Sequence, residues 1–301
     1  MKFLASLNRR RVFMTCGVLL VALACGQAMQ SLSDNPLTRH DKGTALPSDP
    51  AATNLAPPPV MPGRTQKARV VRIEAVSRPN TECIPQLTLK RAPGAMLDLS
   101  FVGCKARQLV LRHGDVEITT ATDSSGRFER RIPALFSEAR VSITFDGETI
   151  DSAIAVPDAD DFQHVAIVWE GPQLLRLHAF EFGAKRDQFG HVWAKAPKSP
   201  DRATRGTGGF LTRLGDGNGT SAEIYSFPAG QSRNTGVVRL VVEADVTPSN
   251  CGHQVEALAL QTDPLGGMDV TEVALKMPQC EAVGLVVRLQ NLFQDMRLAG
   301  R

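Results

Sequence analysis

A chain of 301 residues with 43% hydrophobic content is long enough to bury a substantial core, as one large or two small domains. Its formal charge of +3 is an N-terminal matter: of 34 basic residues, Lys2, Arg9, Arg10 and Arg11 precede Cys25, and the remaining 30 face 31 acidic ones. A nucleic-acid binder carries a concentrated basic footprint; with a net charge of about −1 after residue 24 this chain has none, so nucleic acid is not an expected partner.

The first element is an apolar run over residues 12–24 behind the Arg9-Arg10-Arg11 triplet. Thirteen residues suit the h-region of a signal peptide better than a membrane span of about 20 residues. Extended to Met29, the run makes a marginal single-pass anchor with an Arg-rich inner flank. Ala22-Leu23-Ala24 forms an A-x-A cleavage site, and with Cys25 it resembles a bacterial lipobox whose first position is imperfect. Arg10-Arg11-Val12-Phe13-Met14 loosely resembles a twin-arginine signal. Residues 1–29 therefore read as a signal peptide or membrane anchor, with three possible ends: retention, lipidation of Cys25, or cleavage. Each exports the chain, and the first two leave it periplasmic and attached to the inner membrane.

Residues 30–69 show no hydrophobic periodicity and are punctuated by Asn35-Pro36, Leu46-Pro47, Asp49-Pro50 and Ala56-Pro57-Pro58-Pro59. Such a composition cannot bury enough surface to offset chain entropy and is expected to be a disordered spacer. From about residue 70 the pattern has period two. Leu97, Leu99 and Phe101 alternate with Asp98 and Ser100, and Val141, Ile143 and Phe145 alternate with Ser142 and Thr144 ahead of an Asp146-Gly147 hairpin signal. Between them, 109–111, 116–120 and 127–132 are separated by Gly114 and by Asp123-Ser124-Ser125-Gly126. Short strands with turns every eight to twelve residues predict an antiparallel β-sandwich over 70–158.

Val156-Pro157-Asp158 marks the expected boundary. Beyond it Val165, Ile167 and Trp169 share one face of a strand, and Val238, Leu240, Val242, Ala244 and Val246 form the cleanest alternation of the chain, with Arg239, Glu243 and Asp245 opposite. Further strands are expected at 174–182, 210–214, 222–227, 255–260, 270–277 and 284–289, and a short terminal helix at 291–298. The whole is expected to be all-β: two antiparallel β-sandwich domains, Ig-like or jelly-roll-like, at 70–158 and 159–301, behind the export segment and linker.

Outside the apolar run the cysteines are Cys83, Cys104, Cys251 and Cys280. In an exported chain they imply two disulfides, most simply Cys83 with Cys104 and Cys251 with Cys280, since zinc sites favour closely spaced pairs that are missing here. No cofactor or metal is expected. Residues 162–227 hold nine of the sixteen aromatics together with His164, His178 and His191, with Glu181 and Asp187 nearby. Parity places His178 and Glu181 on opposite faces of a strand, and turns His164 away from Val165, Ile167 and Trp169. Arg176, His178 and Phe180 share a face, as do His191 and Trp193. If the two strands are neighbours, these five residues line an aromatic, polar groove suited to a glycan or peptide. The alternative is an aromatic core with the histidines on solvated faces. No nucleophile elbow, zinc-protease helix, Walker loop or dinucleotide fingerprint is present. Asp216-Gly217-Asn218-Gly219 reads as a hairpin turn and not as a calcium loop.

The run 122–128 with Ile132-Pro133-Ala134 resembles Ig-like modules of the carboxypeptidase-regulatory type over about 80 residues, which implies a sandwich and no active site. The segments 177–183, 190–194, 223–225 and Cys251-Gly252 resemble a group of uncharacterised exported alphaproteobacterial proteins, some labelled "translocase". That group implies export but no catalytic residue. The expected function is therefore a non-enzymatic envelope protein, tethered to the membrane through its N-terminal segment and binding an envelope protein or glycan. The rival expectation is a hydrolase, or a carbohydrate-binding module, working on envelope glycans or peptides through residues 162–227.

Overall fold

A computed structural model describes residues 84–172, 175–263 and 267–298. The export segment, the spacer, Cys25 and Cys83 lie outside the described residues. Among the described residues, no helix is long and apolar enough to cross a membrane.

In chain order the strands are β1 (Gln86–Ala92), β2 (Met96–Val102), β3 (Gln108–His113), β4 (Val116–Ala121), β5 (Arg127–Pro133), β6 (Glu138–Phe145) and β7 (Glu148–Ala155). A 3-10 turn at Pro157–Asp161 leads into β8 (Gln163–Glu170), β9 (Leu175–Glu181), the two-residue β10 (His191–Val192) and a single helical turn, α1 (Asp201–Thr204). There follow β11 (Phe210–Leu214), β12 (Thr220–Phe227), β13 (Gly236–Asp245), β14 (Gln254–Thr262), β15 (Met268–Lys276), β16 (Val286–Leu289) and β17 (Met296–Leu298). The fold is all-β and antiparallel, as the period-two patterns require.

Two small sheets, β1-β2-β5 and β4-β3-β6-β7, close over the first core. Leu97, Leu99 and Phe101 of β2 point inward to meet Val141, Ile143 and Phe145 of β6, and the Phe101 and Phe145 rings sit 5.4 Å apart. Each such side chain contributes about 1.5–3 kcal/mol by leaving water. Asp146 and Gly147 join β6 to β7 with φ of 47° and 83°, the left-handed pair that a two-residue hairpin demands. In the turn before β5, Asp123 Oδ1 accepts from the amides of Ser125 and Arg127, both at 2.9 Å, which accounts for the turn chemistry read there.

Two larger sheets follow, β11-β12-β8-β14-β15 and β10-β9-β13-β16, with β17 on the same edge of β13 as β16. Their shared core holds Val165, Ile167 and Trp169 of β8 against Leu175, Leu177 and Ala179 of β9 and Val238, Val242 and Ala244 of β13. The other face of β8, with Ala166 and Val168, packs into the first core together with Phe210, Ala222, Ile224 and Leu260. The first apolar cluster thus continues across the 156–161 segment, and β8 and β12 are buried on both faces.

One expected element is corrected. The tail is no helix: Met296–Leu298 is a strand whose residues pair with Gly236, Val237 and Val238. Met296 and Leu298 are buried against the second core while Arg297 is exposed, so strand alternation decides the conformation. Cys251 and Cys280 form a disulfide, as their positions in one domain suggested, and Cys104 is also disulfide-bonded.

Candidate functional site

Parity along β9 sorts its side chains. Leu175, Leu177, Ala179 and Glu181 enter the space between the two large sheets, while Arg176, His178 and Phe180 occupy the outer face. β10 pairs with β9 so that His191 lies opposite Phe180, which puts His191 on the same outer face. A bridge between Trp193 and Ala196 then turns the chain and lays the indole against the histidines. The five residues singled out in the sequence are therefore neighbours. The Phe180 and His191 rings are nearly parallel at 4.6 Å, His178 and His191 at 5.1 Å, and His178 and Trp193 at 4.9 Å. Arg176 borders a 290 Å³ cavity with Trp193 and is ion-paired to Asp245.

The polar atoms of this stack form a directed chain. The backbone N–H of Asp187, a residue held at φ 63°, donates to His191 Nδ1 at 3.0 Å. An accepting Nδ1 leaves the proton of the neutral ring on Nε2, and that nitrogen lies 2.8 Å from His178 Nδ1. His178 must then carry its own proton on Nε2, which faces Glu243 Oε2 at 3.3 Å, a close polar contact and not an aligned hydrogen bond. Glu243 comes from β13, one strand over, where Val241 is the direct partner of His178. Its other oxygen accepts from both Arg186 and Arg288.

Burial sets the protonation states. It lowers the His178 pKa to about 4, against the pull of Glu243, and it lowers that of His191 as well. For Glu243 burial works upward, but His178, Arg288 and Arg186 outweigh it and hold the carboxyl below its ordinary value. Near neutral pH the chain consists of two neutral imidazoles ending on a carboxylate shared by two guanidinium groups.

Chemically, this arrangement is closed. His178 and His191 have no exposed surface, and Glu243 has only 4%. Phe180 lies beneath the Arg239 guanidinium at 4.8 Å, and the Lys195 ammonium sits 5.4 Å from the Trp193 ring. The rings accordingly form a packed stack and not an open stacking platform. The histidines are not on solvated faces either. His164 too is buried, on the opposite side of β8 from Val165, where its Nδ1 is 3.0 Å from Ser226 Oγ and burial lowers its pKa to about 3.

Glu181, the acid nearest His178 in sequence, belongs to a different network. In the space between the sheets it accepts from Arg202 Nη2 at 2.6 Å, the Gly209 amide at 2.7 Å and the Tyr225 hydroxyl at 2.8 Å. Burial raises its pKa, with Arg202 and the other donors opposing. These bonds fasten the turn around α1 to β9 and β12. A Cβ at Gly208 would come within 2.5 Å of the Arg202 guanidinium and one at Gly209 within 2.7 Å of Tyr225, so side chains at these two positions are incompatible with the network. Glu223 is a third buried acid: it accepts the Leu177 amide at 2.7 Å, where β9 extends beyond the short β10, and burial raises its pKa to about 7. Asp187, the other acid noted near the histidines, contributes mainly its amide; its carboxylate is 3.8 Å from His191 Nδ1.

Glu243, Arg186 and Arg288 escaped the sequence reading as site residues. Glu243 was visible on the outer face of β13, but only the β9–β13 register brings it to His178. Among the described residues, no group of three or more His, Cys, Asp or Glu side chains is placed to hold a metal ion. The Asp216 turn links β11 to β12 through an Asx contact, the Asn218 amide donating to Asp216 Oδ1 at 2.9 Å. No protein-family model matches the chain, and no curated protein matches it.

Proposed function

We propose that this protein works by binding and not by catalysis, as an exported envelope protein tethered through its N-terminal segment, with the outer face of the β9–β13 sheet as its recognition face. The observation that carries this reading is that the His191–His178–Glu243 chain is sealed: neither ring has exposed surface, and three of the four ring nitrogens are hydrogen-bonded within the protein. A general base needs a nitrogen within about 3 Å of the substrate's proton. Here His191 Nδ1 is occupied by a backbone amide, and His191 Nε2 and His178 Nδ1 by each other, while His178 Nε2, which makes no aligned hydrogen bond, is buried 3.3 Å from Glu243 Oε2 and closed off from any substrate. The chain serves as an internal brace that aligns β9, β10 and β13 beneath a charged surface.

The test is a turnover screen of the detergent-solubilised full-length chain against glycans, muropeptides and peptides, with and without divalent metals. The expected result is no product. Turnover that disappears in His178→Gln, with the variant's melting curve otherwise intact, would establish the hydrolase reading instead.

A further inference from the structure

Above the stack, the outer face of this sheet is hollowed into a groove of about 570 Å³, a volume suited to a small organic ligand. Its charge lining is asymmetric: Lys185, Arg186, Arg239 and Arg288 against the single carboxylate of Asp295, with Glu243 lying beneath Arg186 and Arg288. The cations come from separate parts of the chain, Lys185 and Arg186 from the turn after β9, Arg239 from β13 and Arg288 from β16. Nothing in their local sequence signals a site.

Three features set this groove apart from ordinary surface charge. Lys185 and Arg239 have no ion-pair partner among the described residues, although carboxylates pair with exposed arginines elsewhere on the molecule, as Asp98 does with Arg131 and Asp151 with Arg140. Arg239 is nonetheless fixed, because its guanidinium stacks on Phe180. Arg288 spends Nε and Nη2 on one oxygen of Glu243 and keeps Nη1 uncommitted. Guanidinium groups anchored on one side with donors to spare are preorganised for an oxyanion. Four cations over two carboxylates leave an excess of two positive charges. A phosphate monoester, at close to two negative charges near neutral pH, matches that excess; one carboxylate supplies half of it.

From this geometry we infer that the groove is a binding site for a phosphate-bearing small ligand. The inference rests on the binding role proposed for this face and names the chemistry recognised there. Lys185 and Arg239 supply the uncompensated charge, Arg186 and Arg288 the flanking donors, and the His191–His178–Glu243 chain holds the two flanking arginines in place from below.

Pyrophosphate titrated into the full-length protein by calorimetry tests it, with citrate as a polycarboxylate of similar charge. The expected result is saturable binding, tighter for pyrophosphate than for citrate, weakened about tenfold or more by either Lys185→Gln or Arg239→Gln and reduced by raising ionic strength. Arg140→Gln, on the distant β6, should leave it unchanged. Absence of saturable binding, equal or tighter citrate binding, or pyrophosphate binding indifferent to both groove variants each overturns the assignment. Hydrolysis of the pyrophosphate would leave the site standing and overturn the non-catalytic reading, so the two failures are distinguishable.

Discussion

His178 Nδ1 and His191 Nε2 are 2.8 Å apart, and because the Asp187 amide already occupies the far nitrogen of His191, this one contact fixes the tautomer of both rings. Both should be neutral with the proton on Nε2 at pH 7.5, which long-range nitrogen–proton NMR reads directly; an Nδ1–H signal from either ring contradicts the chain. The linkage has a definite sign. Burial depresses the His178 pKa from 6.5 to about 4, so the folded state binds fewer protons than the unfolded one, and stability is lost as pH falls from about 6.5 towards 4. A shift of that size corresponds to on the order of 3 kcal/mol. In urea unfolding at pH 7.5 and pH 5, His178→Gln should shrink the wild-type difference by an appreciable part of that amount.

Glu181 and Arg202 form the tightest buried ion pair between the large sheets, and breaking such a pair from one side leaves a charge without compensation. Arg202→Ala should cost about 3–5 kcal/mol, whereas the double change Glu181→Gln with Arg202→Met should cost distinctly less than the two single changes combined. Gly208→Ala should cause a loss of the same kind without altering either charge, because its new methyl group meets the Arg202 guanidinium and the Glu181 carboxylate. Melting temperatures of the five variants, with Glu181→Gln and Arg202→Met measured singly and together, suffice. Additive effects of the two charge substitutions would show that the pair is not coupled.

How far the sequence led is clear from particular strands. The alternation in β2, β6 and β13 was legible because each turns apolar residues to one face and mostly polar ones to the other, so period two survives in the residue types. β8 and β12 were harder. Residues 165–169 are apolar throughout because the strand lies between two cores, and reading them as a one-faced strand missed the continuity of the first core across the 156–161 segment. The tail was misread because Met296 and Leu298 give a single step of alternation, too short to outweigh a helical guess. At the site, parity within β9 correctly separated His178 from Glu181 and grouped Arg176, His178 and Phe180. It could not find Glu243 or the groove cations, since those depend on which strands are neighbours, and pairing between strands distant in sequence leaves no local pattern.

The Cys251–Cys280 disulfide closes the base of the β14–β15 hairpin, where the Gly252 amide already donates to the Pro278 carbonyl at 2.8 Å and Met277 to His253 at 2.9 Å. With the native hairpin held by its own ladder from Gln254↔Lys276 to Thr262↔Met268, the bridge acts chiefly by restricting the unfolded chain. Its 29-residue separation corresponds to a loss of about 2–4 kcal/mol on removal. Cys251→Ser with Cys280→Ser should therefore lower the urea midpoint while leaving the far-ultraviolet β signature in place. Loss of that signature would mean that the bridge determines the fold and does not merely stabilise it.

Glu223 titrates in the opposite sense to the histidines. It is fully buried, its carboxylate accepts the Leu177 amide, and Arg213 is its nearest cation at 3.7 Å, so burial prevails and the pKa rises from 4.5 to about 7. The folded state then holds a proton that the unfolded state has released, and the stability it contributes is full below about pH 4.5 and lost as pH rises towards 7. Between pH 4.5 and 6.5 this loss runs against the gain from His164 and His178, whose folded pKa values of about 3 and about 4 favour higher pH. Glu223→Gln retains an acceptor for the Leu177 amide and removes the ionisation. Relative to wild type it should gain stability on going from pH 5 to pH 8, by up to about 3 kcal/mol, so its stability should climb with pH more steeply than that of the wild type. Parallel pH profiles for the two proteins would place the Glu223 pKa near its ordinary value and show that burial does not govern it.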